Sequence, residues 1–229
     1  VPIPFQKSLV SDNQLIHRGI FSNDLSRYFF TVSDRNFARF DIKVSKKQNG
    51  EWTKPTDAFF NSQYSEHGMS FSPDGNTLVF SSTRPVNDTT VAPTWHLWKC
   101  DLLNGEWSDP EFITLPGFDK KLTSHPTISN DGTLYFHSSE ADYSNMWIYQ
   151  SRLINGNYEP PKKLNFERLK CIGACTPYVS SDGNYLIFAA INMNGALPMF
   201  ICKKSRNNQW SQPQILPKEI NQNSQGNPY

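Results

Sequence analysis

Four aspartates recur along the chain, and the residues at a fixed distance before them carry much of the chemistry this sequence could offer. Seven positions back from Asp24, Asp74, Asp131 and Asp182 stand His17, His67, Ser124 and Cys175, and six positions back stand Arg18, Gly68, His125 and Thr176. If these positions converge in space, the imidazoles of His17, His67 and His125 could hold a metal ion, which takes three or four N, O or S ligands. The same groups could instead bind an anionic or sugar ligand, with Arg18 supplying charge and Ser124 and Thr176 supplying hydroxyls. The plain alternative is structural, each imidazole bonding the backbone of a neighbouring element. No H-x-x-x-H pair favours a metal, so no metal and no other cofactor is expected. Nor is there a G-x-S-x-G elbow, an H-E-x-x-H pair or a glycine-rich phosphate loop, which turns the reading from catalysis toward binding.

The aspartates themselves mark a repeat. Phe21-Ser22-Asn23-Asp24, Phe71-Ser72-Pro73-Asp74, Ile128-Ser129-Asn130-Asp131 and Val179-Ser180-Ser181-Asp182 align, stepping by 50, 57 and 51 residues. Glycine follows in three copies, as Gly75, Gly132 and Gly183, and then a hydrophobic run: Thr77 to Phe80, Thr133 to Phe136, Tyr185 to Phe188. An Asp-Gly pair between apolar runs supplies the positive φ of a hairpin turn, so each copy reads as strand, turn, strand. Asp24, Asp74, Asp131 and Asp182 recur too regularly to build one active site. Their expected task is to cap turns, accepting local backbone N–H bonds.

A second landmark trails each hairpin: Trp52-Thr53-Lys54-Pro55, Trp107-Ser108-Asp109-Pro110, Tyr158-Glu159-Pro160-Pro161 and Trp210-Ser211-Gln212-Pro213. Asn49-Gly50, Asn104-Gly105 and Asn155-Gly156 precede three of them, and Asn207-Asn208 serves in the fourth. Each unit is therefore two hairpins, the second made in one copy by His96 to Leu102 and Trp107 to Thr114. Four strands every fifty or so residues are the pattern of a propeller blade. The 14% aromatic content and sixteen prolines suit short strands joined by turns. The prediction is an all-β protein, a β-propeller of four-stranded antiparallel blades, in one domain spanning 1–229. Its repeats run approximately 17–65, 66–122, 123–173 and 174–224. In such a fold the histidine positions fall at the start of the innermost strands, around the axial mouth.

Phe71-Ser72-Pro73-Asp74-Gly75-Asn76-Thr77-Leu78-Val79-Phe80, followed by Ser81-Ser82-Thr83-Arg84-Pro85, closely resembles the TolB-like, WD40-like propeller repeat of bacterial exported proteins. The segments His125 to Phe136 and Cys175 to Phe188 look like the same repeat. The resemblance covers nearly the whole chain, and it implies export and binding rather than a reaction. Members of this repeat family occur as periplasmic partners of envelope lipoproteins, beside peptidoglycan-binding domains, as non-catalytic domains of peptidases and, in a distant branch, as pectin-fragment lyases. Blade one departs from the pattern, with Leu25 at the turn glycine and Asn23 at the proline.

Pro4 to Ile20 aligns without a gap to Pro213 to Tyr229, so residues 1–16 are expected to be the outer strand of a blade closed from both ends of the chain. Repeat arithmetic then puts about thirty-five or more residues after Tyr229 in the intact ring, of five blades or of six. Cys100 and Cys202, in equivalent third strands of separate blades, are expected to stay free as small core residues. Cys171 and Cys175, four apart in a linker, could close a small loop. The longest insertion, Thr83 to Trp95, offers Arg84, Trp95 and His96 as contact residues, and Asn87-Asp88-Thr89 is a glycosylation acceptor in a eukaryotic source.

Charge narrows the partners. Lysine plus arginine (22) nearly balances aspartate plus glutamate (21), and no run of five like charges occurs, so neither nucleic acid nor membrane insertion is expected. Val1 to Val10 lacks the basic start and apolar middle of a signal peptide. The expectation is a periplasmic or secreted chain whose signal has been removed, a binding module for an envelope protein or glycan. The competing readings are a metal-assisted polysaccharide lyase or hydrolase on the axial histidines, and a propeller domain of a larger sensory or peptidase polypeptide.

Overall fold

The computed structural model describes residues 13–87, 94–166 and 169–221. Among them every regular element is a strand. Blade one contains β1 (Gln14–Phe21), β2 (Arg27–Asp34) and β3 (Phe40–Gln48), with two short outer rungs, β4 (Glu51–Trp52) and β5 (Thr56–Asp57). Blade two repeats this as β6 (Glu66–Phe71), β7 (Thr77–Ser82), β8 (His96–Leu103), β9 (Glu106–Trp107) and β10 (Glu111–Phe112). Blade three holds β11 (Leu122–Ile128), β12 (Leu134–Ser139) and β13 (Trp147–Ser151), then β14 (Leu153–Ile154), β15 (Asn157–Tyr158) and β16 (Lys162–Lys163). Blade four holds β17 (Gly173–Val179), β18 (Tyr185–Ile191), β19 (Met199–Lys203) and β20 (Gln214–Ile215). All pairings are antiparallel and each sheet runs from the inner strand outward. The sheets form the blades of an all-β propeller, packing one on two, two on three and three on four. The segments 1–12 and 222–229, on which the expected closing blade rests, lie outside the described residues.

The outer strand is not the single run expected from Trp107 to Thr114. It splits into β9 and β10, both paired with β8, because Pro110 stands between them and proline cannot donate to a ladder. Pro55 divides β4 from β5 in the same way. In the Asn-Gly hairpins both central residues have positive φ, for example Asn104 at 53° and Gly105 at 87°, the backbone that matches the twist of tight hairpins. Blade four departs from this: an isolated bridge, Lys204 to Trp210, closes a longer hairpin.

The aspartate turns share one geometry. Asp24, Asp74, Asp131 and Asp182 each accept the backbone N–H two residues on, at 3.0 Å, and the hydroxyl of the preceding repeat serine. These bonds favour the carboxylate and hold Asp24 and Asp182 at a pKa of about 2. Leu25 takes the glycine's left-handed backbone, at φ 56°, and the turn still closes through Leu25 N–H to the Ser22 carbonyl. Blade one thus keeps the turn at a cost in strain.

Between the blades lie three apolar cores. Phe29, Ile42, Leu78 and Phe80 join blades one and two; Val79, Leu97, Leu134 and Phe136 join two and three; Tyr135, Ile148, Leu186 and Phe188 join three and four. The second-strand residues alternate between facing cores, Leu78 and Phe80 backward, Val79 forward, as the two-residue period of a strand dictates. Cys100 and Cys202 are buried among these cores as free thiols, and Cys171 and Cys175 are also free, so the small-loop disulfide does not form.

Candidate functional site

Every inner strand carries an extra residue. Along β6, His67 pairs with Ser81 and Ser70 with Val79, three residues against two; β11 and β17 show the same bulge after Ser124 and Cys175. At the bulge Gly68, His125 and Thr176 have φ of 64°, 53° and 46°. A β-branched threonine in the left-handed region is a strained outlier, and the bulge at one end of three successive strands, strained at His125 and Thr176 and relieved by glycine at Gly68, marks the axial mouth as a built feature. In blade one the bulge falls between Ile16 and Gly19, one residue earlier, and Arg18 keeps a negative φ. Sequence reading missed the bulge; its signals are Gly68 and the prolines Pro126 and Pro177 beside it.

The bulges are bonded across the blades. His125 N–H donates to Ser81 Oγ of the preceding blade at 2.9 Å, and Thr176 N–H donates to His137 Nδ1 of its preceding blade at 3.1 Å. Ser81 and His137 hold the same second-strand place, opposite His67 and Ser124 respectively. Accepting at Nδ1 leaves the His137 proton on Nε2. His137 escaped sequence reading because the turn of blade three, Asp131-Gly132-Thr133, is one residue shorter than Asp74-Gly75-Asn76-Thr77, so counting from the aspartate misaligns it with Ser81.

Around these bonds the predicted residues divide. Ser124 Oγ lies 3.0 Å from His67 Nε2, 3.2 Å from His125 Nδ1 and 3.2 Å from Ser81 Oγ, which uses the one proton and two lone pairs of a hydroxyl. The rings of His67 and His125 sit 4.5 Å apart, and His125 stacks on His137 at 5.0 Å. His17 lies farther round, its Nε2 2.7 Å from Ser33 Oγ and its ring between Phe37 and Phe40. Since Ser33 Oγ donates to the Asp34 carbonyl, His17 is the donor to Ser33. Arg18 is buried beside this group, and its charge reaches His67.

His17 is engaged with Ser33 and two phenylalanines while His67 and His125 converge on a serine, and among the described residues no three His, Cys, Asp or Glu side chains are grouped to hold a metal. The three loop residues are placed differently from one another. Arg84 turns inward, its side chain 14% exposed, to pair with buried Glu66 at 3.0 Å, donate to the Phe60 carbonyl and lie over Phe80 and Trp98. His96 is buried against Phe112. Only Trp95 joins the mouth, its ring 3.9 Å from that of His67 and 5.8 Å from that of Phe40. Of the glycosylation triplet, Asp88 and Thr89 lie outside the described residues.

Burial disfavours the charged form of His17, His67, His96 and His137. It holds His67 well below its ordinary value, with the charges of His137, His17 and Arg18 adding to the effect, and it pushes His137 down to about 3. His17 is lowered by burial alone, and in His96 burial outweighs an opposing carboxylate, Asp119. A neutral imidazole both donates and accepts, as hydroxyls do. The mouth is thus a cluster of two-way hydrogen-bonding groups, flanked by Trp95, Phe40 and Phe37 and by one permanent cation. A cleft of about 500 Å³ lies elsewhere, near the aspartate turns of blades two and three.

No protein-family model and no curated protein matches this sequence. Solved structures do match in fold. The protein described as TolB from Agrobacterium tumefaciens superposes with a TM-score of 0.56 at 17% identity, over 85% of this chain and 62% of that one. TolB from Acinetobacter baumannii gives 0.55 at 16%, over 91% of this chain and 46% of that one, and the Hadza microbial sialidase Hz136 gives 0.50 at 16%, over 88% and 46%. The chain spans 62% and 46% of the length of the two TolB proteins. At such identity the likeness shows a TolB-like propeller fold and nothing of activity, because one fold hosts unrelated functions.

Proposed function

We propose that this chain is an exported, non-catalytic propeller module that recognises a protein or glycan of the cell envelope at the axial mouth, with residues 1–229 working as one unit of four repeats. The observation that carries the reading is the convergence of His67, Ser124, His125 and Trp95, drawn from two blades and a loop, into one cluster at the start of the inner strands. Strained backbone at two successive bulges, at His125 and Thr176, is costly for packing alone, and such strain clusters where ligands are held. Trp95 and Phe40 supply flat apolar faces, and the imidazoles and hydroxyls supply the polar groups that fix orientation in binding sites. Export is supported by the resemblance of the repeat to those of exported bacterial proteins. Among the described residues no helix is long and apolar enough to cross a membrane.

The test is binding to an array of envelope glycans and to envelope proteins, comparing the native chain with His67→Ala, His125→Ala and Arg18→Ala, each checked for native unfolding behaviour. A ligand of this mouth is expected to lose at least about tenfold in affinity. Binding unaffected by all three replacements would remove the mouth from the function. The lyase or hydrolase reading gains no support from the geometry, since its three histidines do not gather.

A further inference from the structure

The turn end of the propeller, opposite the histidines, contains a site of a different kind. Each interface between blades is filled there by the same three repeat positions: a forward-facing second-strand residue, the residue three before the next aspartate, and the landmark aromatic. Blades one and two use Phe29, Phe71 and Trp107, with Phe29 and Phe71 5.5 Å apart and Trp107 6.1 Å from Phe71. Blades three and four use Tyr135, Val179 and Trp210, with Trp210 6.0 Å from Tyr135 and Lys204 lying over both rings. Blades two and three have Val79, Ile128 and Tyr158, a smaller set.

The turns repeat this difference. Asn23 Nδ2 donates to the Pro73 carbonyl at 2.8 Å, tying blade one to blade two, and Asn130 N–H donates to the Ser181 carbonyl at 3.2 Å, tying three to four. The residue that would tie blade two to blade three is Pro73, which has no N–H and no side-chain donor. Interface two–three therefore has the smaller wedge and lacks the bond, and a cleft of about 500 Å³ opens there, against about 380 Å³ between blades one and two. Its size lies within the range of roughly 300–1,000 Å³ typical of small-molecule sites.

Ile128, Phe112, Leu153 and Tyr158 provide apolar walls. Asp74, Asp101 and Glu111 face them with a single cation, Lys99, which is shared between Asp101 at 2.7 Å and Glu111 at 3.3 Å. Three carboxylates against one ammonium leave the cleft two negative charges in excess. From the smaller wedge, the absent turn bond and this charge, we infer that the cleft between blades two and three binds a small aromatic amine. Its ring takes the space beside Ile128 and Tyr158 that the larger side chains fill in the neighbouring interfaces, and its ammonium lies toward Asp101 and Glu111. The site is independent of the axial mouth, and failure of either leaves the other standing.

The experiment titrates the protein with tryptamine, with indole and with indole-3-propionate, followed by NMR shifts of the Ile128 and Leu153 methyls. Tryptamine is expected to saturate with a dissociation constant below about 1 mM, at least threefold tighter than indole and tenfold tighter than the anion. Tyr158→Trp and, independently, Pro73→Asn are each expected to weaken tryptamine at least tenfold while keeping or raising the melting temperature. Glu111→Gln is expected to lose the preference for tryptamine over indole. Absence of saturable tryptamine binding, equal binding of the propionate, or affinity unchanged in both closing variants would overturn the inference. If one closing variant fails to fold, the other decides.

Discussion

At the axial end of blade two a carboxylate stands where blade three has a hydroxyl. Glu66, fully buried, accepts from Ser62, Ser82 and Arg84; its counterpart Thr123 pairs across the sheet with Ser138 as Glu66 does with Ser82. One position earlier on the second strand, the order reverses, and blade two has the non-titrating Ser81 where blade three has His137. Both accept the amide of the next blade's bulge. The comparison teaches that the repeat dictates backbone geometry, bulge and inter-blade bond, while the chemical character of each blade's inner end is free to vary. That freedom is what a binding mouth needs.

The largest effect is expected from making blade two resemble blade three. Glu66→Thr leaves the Arg84 guanidinium buried without its carboxylate, and breaking such a pair costs about 3–5 kcal/mol. Urea unfolding midpoints measure the loss. Glu66→Thr combined with Arg84→Met is expected to recover most of it, because replacing both partners removes the stranded charge. A double variant no better than the single one would show that Glu66 acts through Ser62 and Ser82 instead.

The second test exploits the reversal at Ser81 and His137. Burial lowers the folded-state pKa of His137 to about 3, whereas in the unfolded chain it titrates near 6.5. Between those values the unfolded state binds a proton that the folded state refuses, so stability falls as pH falls, by about 1.4 kcal/mol per unit. From pH 6.5 to pH 5 this one group removes about 2 kcal/mol. His137→Ser gives blade three the acceptor of blade two and is expected to flatten the pH dependence by that amount. Parallel midpoint-against-pH curves for the two proteins would contradict the assignment of a neutral acceptor.

Much of this architecture was legible in the sequence because turn chemistry is local. Asp-Gly and Asn-Gly pairs announce positive φ wherever they stand, and apolar alternation places the strands between them. The roles of individual side chains were less legible. Arg84 belongs to the longest loop yet points inward, since its carboxylate partner lies 18 residues earlier and no local pattern links them. Trp95 joins the mouth through the same fold-level folding-back. His137 was hidden by a one-residue shortening of its turn, and the split outer strand by prolines that read as mere punctuation.

The smallest effect concerns the bulge itself. Gly68 occupies in blade two the place His125 holds in blade three, and it does so for two reasons: its φ of 64°, and a Cβ there that would come within 3.1 Å of the His125 ring and 3.2 Å of its Cα. Gly68→Ala is therefore expected to cost about 1–2 kcal/mol, from left-handed strain plus a contact with backbone that cannot swing away. The reciprocal change, Thr176→Gly, relieves strain at φ 46° where no such crowding is needed, and is expected to shift stability by less than about 1 kcal/mol. Because the backbone N–H at position 176, which donates to His137, is kept by glycine, the variant leaves the inter-blade bond in place while it removes the strain. If Thr176→Gly gains stability but loses ligand, the strain is held for binding; if it gains stability and keeps full affinity, the bulge serves the stacking of blades alone.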